Sequence, residues 1–272
     1  MEIRGRREEP LAPRDSRAHA GLWAVALIVA GAVPAVAAPP SMDEWRIEPF
    51  EWQGALDSGH RLTVRNPHGD VRARRSTSGD VAIFAAMQRH AGDPRAWRVA
   101  IEPVNGDLEV AVALGDAAVP APLPADWSPR RIDLTVFVPD GAQLRVETGA
   151  GRIEAKRLRS DIEARSTSGE IVVTGSGSVE ARSETGAIRY SFLSADWAGA
   201  ARLSSGTGDI TLVVPRDAAI DLTLRTRGEI AGVAIPAASG SNGERRLVVG
   251  GGGSPVVAES DTGRIALHRI PS

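Results

Sequence analysis

From His60 onward, apolar and polar residues alternate in short runs. Examples are Arg61-Leu62-Thr63-Val64-Arg65, Asp107-Leu108-Glu109-Val110-Ala111-Val112 and Arg131-Ile132-Asp133-Leu134-Thr135-Val136-Phe137-Val138. A period of two puts every second side chain on one face, so these runs predict β-strands. No stretch after residue 40 keeps a helical period. A recurring phrase joins the runs: Ser, any residue, Thr or Ser, Gly, one residue, then Ile or Val. It reads Ser76-Thr77-Ser78-Gly79-Asp80-Val81, Ser166-Thr167-Ser168-Gly169-Glu170-Ile171, Ser183-Glu184-Thr185-Gly186-Ala187-Ile188, Ser205-Gly206-Thr207-Gly208-Asp209-Ile210 and Ser260-Asp261-Thr262-Gly263-Arg264-Ile265. Looser copies are Gly151-Arg152-Ile153, Gly228-Glu229-Ile230 and Asn66-Pro67-His68-Gly69-Asp70-Val71.

A repeated turn before a repeated strand start is the signature of stacked β coils. The Gly turns at 151, 169, 186, 208 and 228 are 18, 17, 22 and 20 residues apart, about one coil each. The expected role of each Gly is a positive φ at a sharp bend. The Ser and Thr before it are expected to bond the turn and to form hydroxyl ladders between coils. A longer repeat contains the short one: Leu134 to Val138, Pro139 and Gly151 in one half, Ile210 to Val214, Pro215 and Gly228 in the other. Proline suits a strand end because it has no ladder N–H. Arg264, His268, Arg269 and Pro271 are placed to blunt a C-terminal edge strand. The prediction is an all-β, single-stranded β-solenoid or β-helix-like stack over 60–272. Residues 39–59 read as a lead-in linker. Ala117 to Arg130, Ala237 to Gly243 and Gly250 to Gly253 read as loops.

Composition sharpens this picture in three places. Aromatics are 4% of 272 residues, so the core must come from small branched side chains. The 32 Lys and Arg against 34 Asp and Glu give no clustered basic footprint for nucleic acid. The absence of Cys removes disulfides and thiolate metal sites. At the N-terminus, Leu22 to Ala38 is uncharged and mostly apolar, Arg4, Arg6, Arg7, Arg14 and Arg17 precede it, and Val36 and Ala38 fit signal-peptidase positions. This predicts a bacterial secretory signal over 1–38, with an apolar signal helix. An uncleaved anchor is the competing reading, and would be the chain's only tie to a membrane.

Together, the secretory signal, the Pro-Asp-Gly-type turns (Pro139-Asp140-Gly141) and the Ser-x-Thr/Ser-Gly-x-Ile/Val coils resemble the bacterial putative-adhesin domain of unknown function, also called the toast-rack fold. The resemblance covers roughly 60–270 and is clearest over 131–235. It implies a periplasmic, secreted or envelope-exposed β-solenoid without enzymatic activity. The family defines no catalytic residues, so none carries over.

Each candidate for chemistry has a simpler structural explanation. Asp261-Thr262-Gly263 is the triplet of aspartic proteases, but those need two facing aspartates, and the other copies carry Thr167, Glu184 and Gly206 there. His19, His60, His68, His90 and His268 lack metal-ligand spacing. Asp70, Asp80, Glu170, Asp209 and Glu229 follow turn glycines and would form an acidic row suited to Ca²⁺, interrupted by Arg152, Ala187 and Arg264. Trp97, Trp127 and Trp197 fall near irregular connections, where aromatics usually cover a core. Gly250 to Gly253 lacks the Gly-Lys-Ser/Thr of a phosphate loop. No catalytic, cofactor or metal residue is therefore assigned. The expected function is a cell-envelope or surface scaffold, adhesin-like, for an unidentified envelope macromolecule. An accessory sensor of envelope stress is the alternative, and a polysaccharide-active β-helix enzyme a third reading.

Overall fold

The computed structural model describes residues 45–90, 97–114, 117–118, 131–232 and 243–270. The expected signal over 1–38 lies outside them, as do Trp127, Pro271 and most of the two longer loops. The N-terminal strands are β1 (Trp45–Gly54), β2 (Arg61–Asn66), β3 (Val71–Arg75), β4 (Val81–His90), β5 (Trp97–Val104), β6 (Asp107–Leu114), β7 (Ala117–Ala118) and β8 (Ile132–Val138). The middle strands are β9 (Gln143–Thr148), β10 (Ile153–Leu158), β11 (Ile162–Ser166), β12 (Ile171–Gly175), β13 (Val179–Ser183), β14 (Ile188–Phe192), β15 (Ala201–Ser205) and β16 (Ile210–Pro215). Then come β17 (Ile220–Thr226), β18 (Ile230–Gly232), β19 (Glu244–Val249), β20 (Ser254–Ser260) and β21 (Ile265–Ile270). The segment read as a linker thus contains a ten-residue strand, β1, whose partner β4 is supplied only by the fold.

The strands form two sheets. The first runs β1-β4-β8-β3-β10-β12-β14-β16-β21-β18, the second β19-β17-β20-β15-β13-β11-β9-β2-β6-β5. Each coil gives one strand to each sheet, and the inner coils pair in parallel, in register from the corner with one bulge at Arg157 in β10: Ile153, Ile171, Ile188, Ile210 and Ile265 are successive register partners. These isoleucines are buried, each worth about 1.5–3 kcal/mol over an exposed position. The middle inward position is small in one sheet where it is larger in the other: Val64 with Ala73, Val146 with Ala155, Ala164 with Val173, Ala181 with Tyr190, Ala258 with Leu267. All ten are buried, nine of them completely, while the β15–β16 coil places leucine on both sides, Leu203 with Leu212.

The stacking order departs from the chain order twice. β3 lies between β8 and β10, and β2 between β6 and β9. The β2–β3 coil is therefore slotted in where the chain jumps from β8 to β9. At the other end β20 and β21 fill the coil that the chain skips between β16 and β17. Both jumps are the Pro turns of the longer repeat. Pro139 O accepts the Ala142 N–H (3.4 Å), Pro215 O accepts the Ala218 N–H (3.2 Å), and both alanines are buried. The glycine order is thus 69, 151, 169, 186, 208, 263, 228. Strand β21 is flanked by β16 along its length and by β18 over Ile265–Leu267, so Arg264 does not guard an open edge, while His268 and Arg269 lie past the end of β18.

The corner glycines also act differently from expectation. Gly151, Gly169, Gly186, Gly208, Gly228 and Gly263 do not have positive φ. A Cβ on Gly151, Gly169, Gly186, Gly208 or Gly263 would instead fall within 3.0 Å of the carbonyl oxygen of the glycine one coil before. The column exists because backbones touch. Gly79 lies outside it: its φ is +89°, with nothing near its Cβ position, and it serves the crossing from β3 to antiparallel β4. The loose copy at Asn66–Gly69 is the true member, with Gly69 against Ile132.

Beneath the glycines runs a buried polar column: Asn66, Thr148, Ser166, Ser183, Ser205, Ser260 and Thr226. The Oγ of Ser166, Ser183, Ser205 and Ser260 accepts the Gly N–H three residues on, at 2.8–3.0 Å. Ser205 and Ser260 donate to the previous glycine carbonyl, Gly186 O at 3.2 Å and Gly208 O at 3.0 Å. The expected hydroxyl-to-hydroxyl ladder is realised between Thr148 and Ser166 (3.2 Å); elsewhere the hydroxyls serve backbone. An unmet buried backbone group costs about 1–3 kcal/mol, so the column is a requirement of the corner.

Two outcomes follow. Gly186→Ala is expected to lower stability by about 1–3 kcal/mol or more through overpacking. Gly79→Ala should cost only the left-handed backbone term, about 1–2 kcal/mol. Urea melts of both decide it, and equal small losses would contradict the column. Tyr190 is fully buried, its hydroxyl has no partner among the described residues, and burial pushes that phenol upward. Tyr190→Phe is therefore expected to leave the melting temperature unchanged or raise it.

Candidate functional site

The outer face of the second sheet carries Glu-Ala-Arg in consecutive coils, Glu163-Ala164-Arg165 and Glu180-Ala181-Arg182. The alanines point inward and the charges outward, as strand alternation requires. The coils tie these charges together. Arg165 meets Glu163 at 2.5 Å, Arg182 meets Glu180 at 2.9 Å, and Arg145 meets Glu147 at 2.6 Å and Glu163 at 3.6 Å. Arg65 bridges Glu109 (2.7 Å) and Glu147 (3.5 Å), and Arg225 bridges Glu259 (2.5 Å) and Glu244 (3.0 Å). Glu147 holds Arg145 above, and Arg225 holds Glu244 below, the ordinary range of each group.

This lattice is interrupted at Arg202-Leu203-Ser204, where the charge order breaks. A groove of about 390 Å³ opens there, lined among others by Arg61, Gln143, Asp161, Ser178, Ala200 and Arg202. Its depth comes from the short side chains Ser178 and Ala200 at positions that hold Arg61, Gln143 and Asp161 in earlier coils. Asp161 is occupied, accepting the Ser178 N–H at 2.8 Å. The Arg61 guanidinium donates to the neutral Gln143 amide oxygen at 2.9 Å, while its backbone N–H (2.8 Å) and then its charge help hold Asp107 below the ordinary carboxylate value. The Arg202 side chain has no hydrogen bond or ion pair among the described residues and is exposed. Two guanidiniums thus line one groove with Glu163 and Glu180, and the Arg202 guanidinium has no carboxylate partner of its own among the described residues. Such a groove fits acceptor oxygens of a ligand. The sequence concealed this, because Arg61 and Arg202 lie 141 residues apart and come to line one groove, with β9, β11 and β13 between their strands, only when β2 slots into the stack.

The sequence candidates fall elsewhere. Asp261-Thr262-Gly263 is a corner turn whose Ser260 Oγ serves Gly263 N–H and Gly208 O, each at 3.0 Å. The acidic row is not a cation cage. In stacking order it reads Asp133, Asp70, Arg152, Glu170, Ala187, Asp209, Arg264, Glu229, so arginines alternate into it. Arg152 meets Glu170 at 3.4 Å and Arg264 meets Glu229 at 3.3 Å. The aspartates instead accept the N–H of the same position one coil on: Asp133 from Asp70 (2.9 Å), Asp70 from Arg152 (3.1 Å), Asp209 from Arg264 (2.8 Å). Asp80 lies off this row and takes the Gln53 amide at 3.0 Å. Among the described residues no group of three His, Asp or Glu is arranged to hold a metal ion. Gly250 to Gly253 forms the turn from β19 to β20. Trp197 is buried against Phe192 (centroids 4.8 Å apart) and donates its indole N–H to Gly177 O at 3.0 Å. His60 lies 3.4 Å from Asp107.

No family model matches the chain, and no curated protein matches it. Among solved structures it is similar, over 82% of its length, to three bacterial proteins. One is a putative cell adhesion protein from Clostridium sporogenes ATCC 15579, covered in full, with 10% identity and a TM-score of 0.44. The others are putative adhesins from Bacteroides fragilis NCTC 9343 and Parabacteroides distasonis ATCC 8503. Each is 97% covered with 12% identity, at TM-scores of 0.30 and 0.26.

His68, at the first glycine corner, is held below its ordinary value of 6.5, chiefly by burial and then by Arg131, with Asp133 opposing. The fold keeps it neutral, so the unfolded chain takes up more protons below pH 6.5. Its contribution is complete above that pH and is lost as pH falls. Thermal melts are expected to decline more steeply below pH 6.5 for the wild type than for His68→Asn, and parallel profiles would refute this assignment.

Proposed function

We propose that this chain is a non-enzymatic scaffold of the bacterial envelope or cell surface. It binds an extended, oxygen-rich envelope polymer along the outer face of its second sheet. The observation that carries the reading is the Arg202 guanidinium, without a carboxylate partner among the described residues, in a groove that Arg61 also lines and in a surface where the neighbouring charges are tied. Fixed guanidinium forks recognise carboxylate, phosphate or hydroxyl oxygens. The remaining carboxylates lining the groove, Glu163 and Glu180, are held by Arg165 and Arg182, which favours a structural over an acid–base role.

The test is co-sedimentation with purified envelope from the native host. The wild type is expected to pellet with it. Arg61→Ala with Arg202→Ala should weaken retention at least about tenfold, since each lost charged hydrogen bond is worth about 1.5–3 kcal/mol. Unchanged retention, or turnover of an envelope polysaccharide by the purified protein, would overturn the reading.

A further inference from the structure

A β-sheet edge offers unpaired N–H and C=O groups to any other strand. Register and turn geometry show which residues turn those groups outward here. In β4 the Gln88 N–H goes to Arg131 O, toward β8, so the odd-numbered residues of β4 face β1. Their partners are Glu48, Phe50 and Trp52. Ile47, Pro49, Glu51 and Gln53 therefore face the open edge, and Pro49 in its middle has no N–H to give. In β5, the two-residue turn Asn105-Gly106, both with positive φ, closes Val104 on Asp107 as a hydrogen-bonded pair. Pro103, Ile101 and Val99 then face outward, and again a proline blunts the edge. At the other end, β18 is three residues long.

The fourth edge, β19, is not guarded in this way. Thr226 N–H goes to Gly243 O, so the even-numbered residues of β17 face β19 and pair with Arg245, Leu247 and Val249. Glu244, Arg246 and Val248 turn their backbone groups outward. This strand has no proline, and Val248 is 72% exposed. Charge does not guard it either: Glu244 holds Arg246 at 2.8 Å and Arg225 at 3.0 Å, which neutralises the outer row.

We propose that β19 is a self-association edge, pairing antiparallel with β19 of a second copy of this chain about a two-fold axis at Leu247. In that register Arg246 and Val248 form hydrogen-bonded pairs in both directions. Leu247 meets Leu247 of the second copy at the close, non-hydrogen-bonded spacing. Leu247 and Val249 already pack partly buried on the core, so pairing continues that apolar face across the axis. Arg245 falls opposite Val249, which keeps the two Arg245 side chains about four residues, roughly 13 Å, apart. Head-to-tail growth is blocked, because the strands it needs at the other end present Pro49 and Pro103. The contact is isologous and closes at a dimer. It is independent of the groove between Arg61 and Arg202.

The test is analytical ultracentrifugation of the full chain across the micromolar range. A dimer is expected. Val248→Pro removes one outward N–H while sparing every bond to β17, so it should weaken dimerisation at least about tenfold. A monomer at every concentration, or a dimer indifferent to Val248→Pro, overturns the proposal. Should that variant not fold, Leu247→Cys in this cysteine-free chain gives a second readout. Under mild oxidation it is expected to cross-link copies far faster than Ile47→Cys on the proline-guarded edge, and equal rates overturn the proposal.

Discussion

The structure depends on one close contact: the carbonyl of a corner glycine against the backbone of the next corner glycine. Parallel coils stacked at about 4.8 Å leave no room there for a Cβ. Once that contact is imposed, its polar consequences follow. The corner N–H turns inward to the Oγ of Ser166, Ser183, Ser205 or Ser260, and Ser205 and Ser260 also take up the preceding glycine carbonyl. Glycine and serine are thus two halves of one device, which closes each bend and fastens it to its neighbour. The aspartates after the glycines repeat the logic outside, accepting one N–H of the next coil.

The same contact explains why the ends are built by insertion. An open stack would present a bare corner and a strand edge at each terminus. Here the chain jumps a coil at each Pro turn and later fills, or has already filled, the vacancy. The first and last complete coils are therefore held between two neighbours. Antiparallel strands with edge prolines finish one end. The solenoid is thereby a domain of fixed length rather than an extendable filament.

The surface follows from the core. With inward positions given to Ala, Val, Ile and Leu, the outward positions repeat in register, and charges repeat with them. Mostly the repeat pairs Glu with Arg. Where Arg202 replaces the acid and Ser178 and Ala200 shorten the adjacent row, the lattice opens into a groove with two guanidiniums facing it. The groove arises here from a local failure of the repeat.

Much of this was legible in the residues. Period-two runs specified strands, and the Ser-x-Thr/Ser-Gly phrase located four of the corners, because both are local patterns of backbone need. The phrase also misled. Ser76–Val81 matches it well, yet lies off the column, while Asn66–Val71 matches poorly and belongs to it. An amide side chain does the work of a hydroxyl there, with Asn66 Nδ2 donating to Ile132 O at 2.7 Å. Sequence alone thus determined strands, corners and the small-residue core, since alternation and turn chemistry act over a few residues. The tertiary structure decided the order of the coils, the reason for the glycines, the strand in 45–54, and the placing of Arg61 and Arg202 along one groove. Those depend on which coil lies beside which, and two insertions make that neighbour a distant part of the chain.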